Sequence, residues 1–135
     1  MDYWITVVVD APFGAAVSDV RAALAAQGFG VLTEIDVQST MRAKLGAELE
    51  DYLILGACNP PLAHQALERD RRIGLLLPCN VVVRTQGGKT IVEALDPLTM
   101  VQVTGDDALA PVAQEAASRL RAALAAVAMG LSASR

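Results

Sequence analysis

The tetrapeptide Gln86-Gly87-Gly88-Lys89 separates two runs rich in β-branched residues, Leu75–Thr85 and Thr90–Ala94. Paired glycines between such runs read as a hairpin turn, because glycine reaches positive φ without steric cost. That one feature commits the chain to an antiparallel strand pair, and the rest of the pattern must build around it. Pro78 is expected to bend or interrupt the first of these strands, since proline cannot donate to a ladder.

Upstream, Tyr3–Val9 is β-branched and apolar on both faces, which predicts a central strand covered on both sides. Asp10-Ala11-Pro12 breaks it, and from Phe13 the period changes. Phe13, Val17, Val20 and Leu24 recur at helical spacing, with Asp19 and Arg21 elsewhere on the wheel and Gly28 as the stop. Val31–Val37 alternates as a strand with one wet face. Ser39 is the expected N-cap of a short helix through Leu45, which Gly46 ends. Tyr52–Ala57 reads as another strand. Asn59-Pro60-Pro61 then opens a helix to about Asp70, with Asn59 as cap and Pro60 in the first helical position.

Asp96-Pro97 marks a turn before a short apolar piece around Met100–Val103. Leu109, Val112, Ala116, Leu120, Leu124 and Val127 trace the stripe of a long last helix. Asp106 and Asp107 lie where its macrodipole favours negative charge, and Pro111 belongs in its first turn. Ser132–Arg135 is expected to fray. The order is β-α-β-(short α)-β-α-β-β-α with no repeating βαβ unit. That predicts an α+β domain spanning 1–135, an antiparallel-leaning sheet with helices on one face.

Composition narrows the function classes. The chain is 53% hydrophobic and 19% charged, which opposes disorder and leaves apolar surface compatible with a subunit interface. A net charge of −4 argues against nucleic acid, whose phosphates need Lys and Arg. Arg69, Arg71 and Arg72 are interleaved with Glu68 and Asp70 and read as a solvated helix end. No signal peptide is expected, since the first ten residues carry Asp2 and no Lys or Arg. No membrane span is expected either, because the apolar run Ile73–Val83 is short and broken. Two cysteines in such a chain are expected as reduced thiols in the cytoplasm.

Two corners stand out: Gly56-Ala57-Cys58-Asn59-Pro60-Pro61 and Leu77-Pro78-Cys79-Asn80-Val81. Each sets a Cys-Asn pair beside proline, which stiffens the backbone while the Asn amide can bond local main chain. Cys58, Asn59, Cys79 and Asn80 are therefore the candidate ligand-binding residues. Cys58, just before a helix N-terminus, is favoured as a thiolate. The competing reading is two small buried residues in well-made turns. His64, the only histidine, lies one turn into the helix after Pro60 and would complete a Cys-His site with Cys58; an ordinary surface histidine is the plainer reading.

Glu34 and Asp36 share a strand face, followed by Arg42 and Lys44. They could do acid-base work, or simply form a wet face. One His and two distant Cys do not make a zinc site, and no phosphate loop or nucleophile elbow occurs. No cofactor and no metal are expected.

These corners also carry a family likeness. Gly28-Phe29-Gly30-Val31 through Glu34-Ile35, Lys44-Leu45-Gly46, Leu55 through Ala63, and Gly74 through Val83 resemble the domain-of-unknown-function 302 family. The resemblance implies a β-α-β(4)-α arrangement akin to the TATA-binding-protein-like fold, and a homodimer. It implies no activity and no catalytic residues. Similarity of fold to a DNA-binding protein does not transfer DNA binding.

Three functions stay open. The first is a dimeric module whose sheet and long helix form a groove for a small apolar or amphipathic ligand, without catalysis. The second is a thiol-dependent redox or detoxification protein using Cys58 and Cys79. The third is a purely structural or interaction domain.

Overall fold

The hairpin forms as its glycines demand. Gly87 and Gly88 sit at φ 57° and 78°, the doubly left-handed turn whose twist matches that of the flanking strands. The structure, a computed structural model, describes residues 2–130; the fraying expected at Ser132–Arg135 lies outside them. Strands β4 (Cys79–Gln86) and β5 (Lys89–Leu95) flank the turn, with Gln86 opposite Lys89. β1 (Trp4–Val9) adds to β5, while β3 (Tyr52–Cys58) and then β2 (Gly30–Asp36) extend the other side. The order is β1-β5-β4-β3-β2, and every pair is antiparallel.

Helix α1 (Phe13–Ala26) joins β1 to β2, and α5 (Ala110–Ala128) closes the chain. Both lay apolar stripes on one face of the sheet. There Val20, Leu24, Leu120 and Leu124 meet Leu55, Val81, Val83 and Val92 in the main core. The element order is thus β-α-β(4)-α with shorter helices inserted between, and the fold is α+β. Those insertions are α2 (Val37–Leu45), α3 (Pro60–Arg69) with a following 3₁₀ turn (Arg71–Leu76), and α4 (Thr99–Thr104). The last two insertions and the first half of α5 form a second apolar cluster, centred on Ala66, Ile73, Met100, Leu109 and Val112.

Several local expectations are corrected. β1 is an edge strand, not a central one: Trp4 and Val8 are exposed while Ile5 and Val9 face the core. Its β-branched run reported strand propensity, which does not decide position in the sheet. β2 has no buried residue, so it is wetter than a strand with one wet face. Asp19 is buried rather than on the outer side of α1. The cap of α2 is Asp36, whose carboxylate accepts the Ser39 N–H at 2.9 Å; Ser39 already lies inside the helix. Leu75–Leu77 do not join β4, which begins only after Pro78, because Asp70 caps a 3₁₀ turn that consumes them. The Leu77–Pro78 bond is cis.

Asn59 caps α3 as expected, its Oδ1 accepting the Leu62 N–H at 3.3 Å. Among the described residues no helix is long and apolar enough to cross a membrane.

Candidate functional site

The two corners converge. Ala57 pairs directly with Cys79 across β3 and β4, so the register places Cys58 one residue away on the neighbouring strand. Both cysteines line one small apolar cavity, closed by Phe29, Leu62, Leu77, Met100, Val112 and Ala116. The cavity measures ≈ 30 Å³, room for one or two waters by volume. It lies on the seam between the two apolar clusters. Ala57, Cys79 and Phe29 belong to the main core, whereas Met100, Ala66 and Val112 belong to the second. Small side chains are what leave the space: Ala57, Ala63, Ala66 and Ala116 line it with the cysteines.

Both thiols are free, Cys79 buried and Cys58 half-buried. Burial pushes the Cys79 thiol up to about 11 from an ordinary 9.0, and the neighbouring Cys58 adds to the rise. Cys79 is therefore a neutral thiol at physiological pH and a poor nucleophile.

A wider groove between α3 and α5, with a volume of ≈ 430 Å³, shares Asn59, Leu62 and Val112 with the cavity as walls. Its walls carry Gln65, Glu115 and Arg119 beside Pro61, Pro111 and Val112. The groove is anchored at one carbonyl. Gln27 O accepts from Arg119 Nη1 at 3.2 Å and from Asn59 Nδ2 at 3.5 Å, tying the end of α1 to α3 and α5. Gly28 permits this closeness. At φ 82°, an added Cβ would lie 3.0 Å from Asn59 Nδ2 and 3.4 Å from Arg119 Nη1. Arg119 also bonds Glu115 at 3.2 Å. The start of α3 offers little to an anion, since Pro60 and Pro61 have no N–H and Asn59 occupies that of Leu62.

Other candidate residues lie elsewhere. Asn80 is exposed and lines a separate hollow on the open sheet face, with Tyr3, Trp4, Tyr52 and Glu93. Strand alternation turns it away from Cys79. His64 is exposed and pairs with Glu68 one turn on, and it does not line the cavity. Glu34 pairs with Arg21, Asp36 caps α2, and Arg42 reaches Glu48. That set is structural surface chemistry. Among the described residues no group of three or more His, Cys, Asp or Glu could hold a metal ion. Met100, Val112, Ala116 and Arg119 were not legible as site residues, because they come from segments 40 or more positions from Cys58 and look like ordinary helix positions.

Fold and cavity together define a small β-α-β(4)-α domain whose sheet end, α3 and α5 enclose two thiols. The chain belongs to the family described as Domain of unknown function DUF302, whose model matches residues 5–127. A solved structure described as an uncharacterized conserved protein DUF302 from Bacillus stearothermophilus is similar throughout. Identity is 29%, the TM-score is 0.89, and the match covers 94% of this chain and 99% of that one. No curated protein matches the chain.

Proposed function

We propose that the chain is a non-catalytic binding module for a small amphipathic molecule, held in the groove between α3 and α5. One observation carries the reading: an open groove of ≈ 430 Å³ with Gln65, Glu115 and Arg119 on its walls shares Asn59, Leu62 and Val112 with an apolar cavity. The groove falls within the roughly 300–1,000 Å³ of small-molecule sites, whereas the cavity alone does not. The ligand's polar end sits by Arg119, and its apolar end lies along Leu62 and Val112 toward the thiols. The pairing of two identical chains expected from the family resemblance is a separate matter, because groove and cavity are lined from within one chain. A reducing compartment such as the cytoplasm would keep both thiols free.

Native mass spectrometry of freshly purified protein tests this. The expected result is a co-purifying small molecule that disappears in Ala63→Leu, which fills the apolar cavity from α3. A clean apo mass, with no uptake of an added medium-chain fatty acid, would sink the reading.

A second reading has its own support: Cys58 and Cys79 line the same cavity and interact electrostatically. In that reading they form a dithiol that cycles to a disulfide against an oxidised low-molecular-weight disulfide. The raised Cys79 thiol weighs against it, since exchange needs thiolate. Denaturing mass spectrometry after oxidised-glutathione treatment decides the point. An intramolecular bridge two mass units lighter favours the redox reading, and its absence removes it.

A further inference from the structure

We propose that the hollow on the helix-free sheet face binds an uncharged planar heterocycle of the nucleobase type, stacked on Trp4 with its edge at Asn80. The chain has two tyrosines and one tryptophan, and all three line this hollow of ≈ 280 Å³. They come from segments far apart in sequence: Tyr3 and Trp4 from the start of β1, Tyr52 from the start of β3. Trp4 pairs with Leu95, and the β4–β5 register sets Asn80 on the other side of Leu95. Two strand spacings, about 10 Å, therefore separate Trp4 from Asn80, which is room for one flat ring between them. Val82 and Glu93 continue the floor toward Tyr52 at the far end. The volume, below the roughly 300–1,000 Å³ of drug-sized sites, suits a smaller ligand.

Hydrogen-bonding capacity is open here as well. The Asn80 amide, the Trp4 ring N–H and both tyrosine hydroxyls have no hydrogen-bond partner among the described residues. An amide sets a donor beside an acceptor, the pattern that matches a purine edge. Tyr3 and Trp4 are 63% and 43% exposed, although aromatic side chains gain most from burial. Bare rings rimmed by unbonded polar groups mark a binding surface. Stacking suits the class, because every base has a π-face.

Charge narrows the occupant. Glu93 lines the hollow, and its carboxylate is already matched. Oε1 accepts from Arg84 Nε at 2.8 Å and Oε2 from Thr6 Oγ1 at 2.9 Å, while Arg84 Nη1 donates to Gln86 at 2.6 Å. None of the described lining side chains is a cation, so nothing in the hollow holds a phosphate. Lys89 shares the face but lies four residues along β5 from Glu93, roughly 14 Å away, and lines a different hollow. An organic cation would lie beside the Arg84 guanidinium, which opposes it. The ligand that fits is neutral, and this hollow is separate from the groove between α3 and α5.

Fluorescence of Trp4, the single tryptophan, tests the proposal on the full chain. The probes are adenosine, uridine as the pyrimidine, and methyl glucoside as a neutral sugar. Excitation at the red edge of tryptophan absorption avoids the nucleosides. The expected result is saturable quenching by at least one nucleoside, with adenosine monophosphate binding no more tightly than adenosine. Asn80→Ala, at an exposed position, should weaken that binding about tenfold with unchanged circular dichroism. Tyr52→Leu should weaken it too. No saturable quenching by either nucleoside overturns the proposal, as does binding that Asn80→Ala leaves unaltered. Binding of methyl glucoside alone, or tighter binding of the monophosphate, overturns the class of ligand. Ala63→Leu alters the cavity and not this hollow, so it should bind the nucleoside as the native chain does. Failure here is thus separable from failure of the groove.

Discussion

Cys79 lies where β4 enters the core, opposite Ala57, and its environment sets its chemistry. Its thiol pKa is raised by burial to about 11. A group raised in the folded state contributes stability that is fully present below its unfolded value and is lost as pH rises through the folded one. Unfolding free energy should therefore fall between about pH 9 and 11, by on the order of 2 kcal/mol, and Cys79→Ala should flatten that slope. Urea titrations across this range check it; an equal slope in the variant would show that another group is responsible. The pairing of the Cys-Asn corners was legible only in part. Cys58, Asn59 and Cys79 were marked by their rigid surroundings and meet at one cavity. Asn80 belonged to the same motif, but the two-residue period of a strand sends it to the opposite face.

Gly56 shows how one element constrains its neighbours. A Cβ there would lie 2.2 Å from Thr33 Oγ1 and 2.9 Å from Pro78 Cγ, so β2 and the Pro78 corner close over β3 only because this residue has no side chain. Gly56→Ala should cost about 1–3 kcal/mol through overpacking, whereas the exposed and uncrowded Gly74→Ala should cost far less. Thermal melts of the pair measure this, and equal losses would refute the close-packing argument.

Elements fixed by local chemistry were readable: the Gly87-Gly88 hairpin, the stripe of α5, and Asn59-Pro60 opening α3. Strand order was not, because β1 joins β5 across 80 residues and nothing in Tyr3–Val9 encodes an edge. The run after Arg72 was ambiguous for a related reason. A short apolar stretch suits a strand or a buried turn, and Asp70 capping Arg72 N–H settled it as 3₁₀.

At the scale of the whole molecule, α5 is the spine. Its first half packs in the second cluster and its second half in the main core, and the cavity sits where the two meet. Asp106 reinforces that junction. It caps the turn leading into α5 and holds Arg69 at the end of α3 through bonds of 2.8 and 3.2 Å. The Arg69 guanidinium, followed by the Ala108 N–H, holds the Asp106 carboxyl below the ordinary 3.8. This contribution is present above that value and fades as pH falls below it.

On this account the two thiols line a cavity beside the proposed binding groove. The direct test of the groove is calorimetric titration with a medium-chain fatty acid against the native chain and Ala63→Leu at equal thermal stability. Binding of one molecule per native chain, abolished in Ala63→Leu and weakened in Arg119→Ala, is the predicted result. Equal binding to all three proteins, or to none, would contradict it.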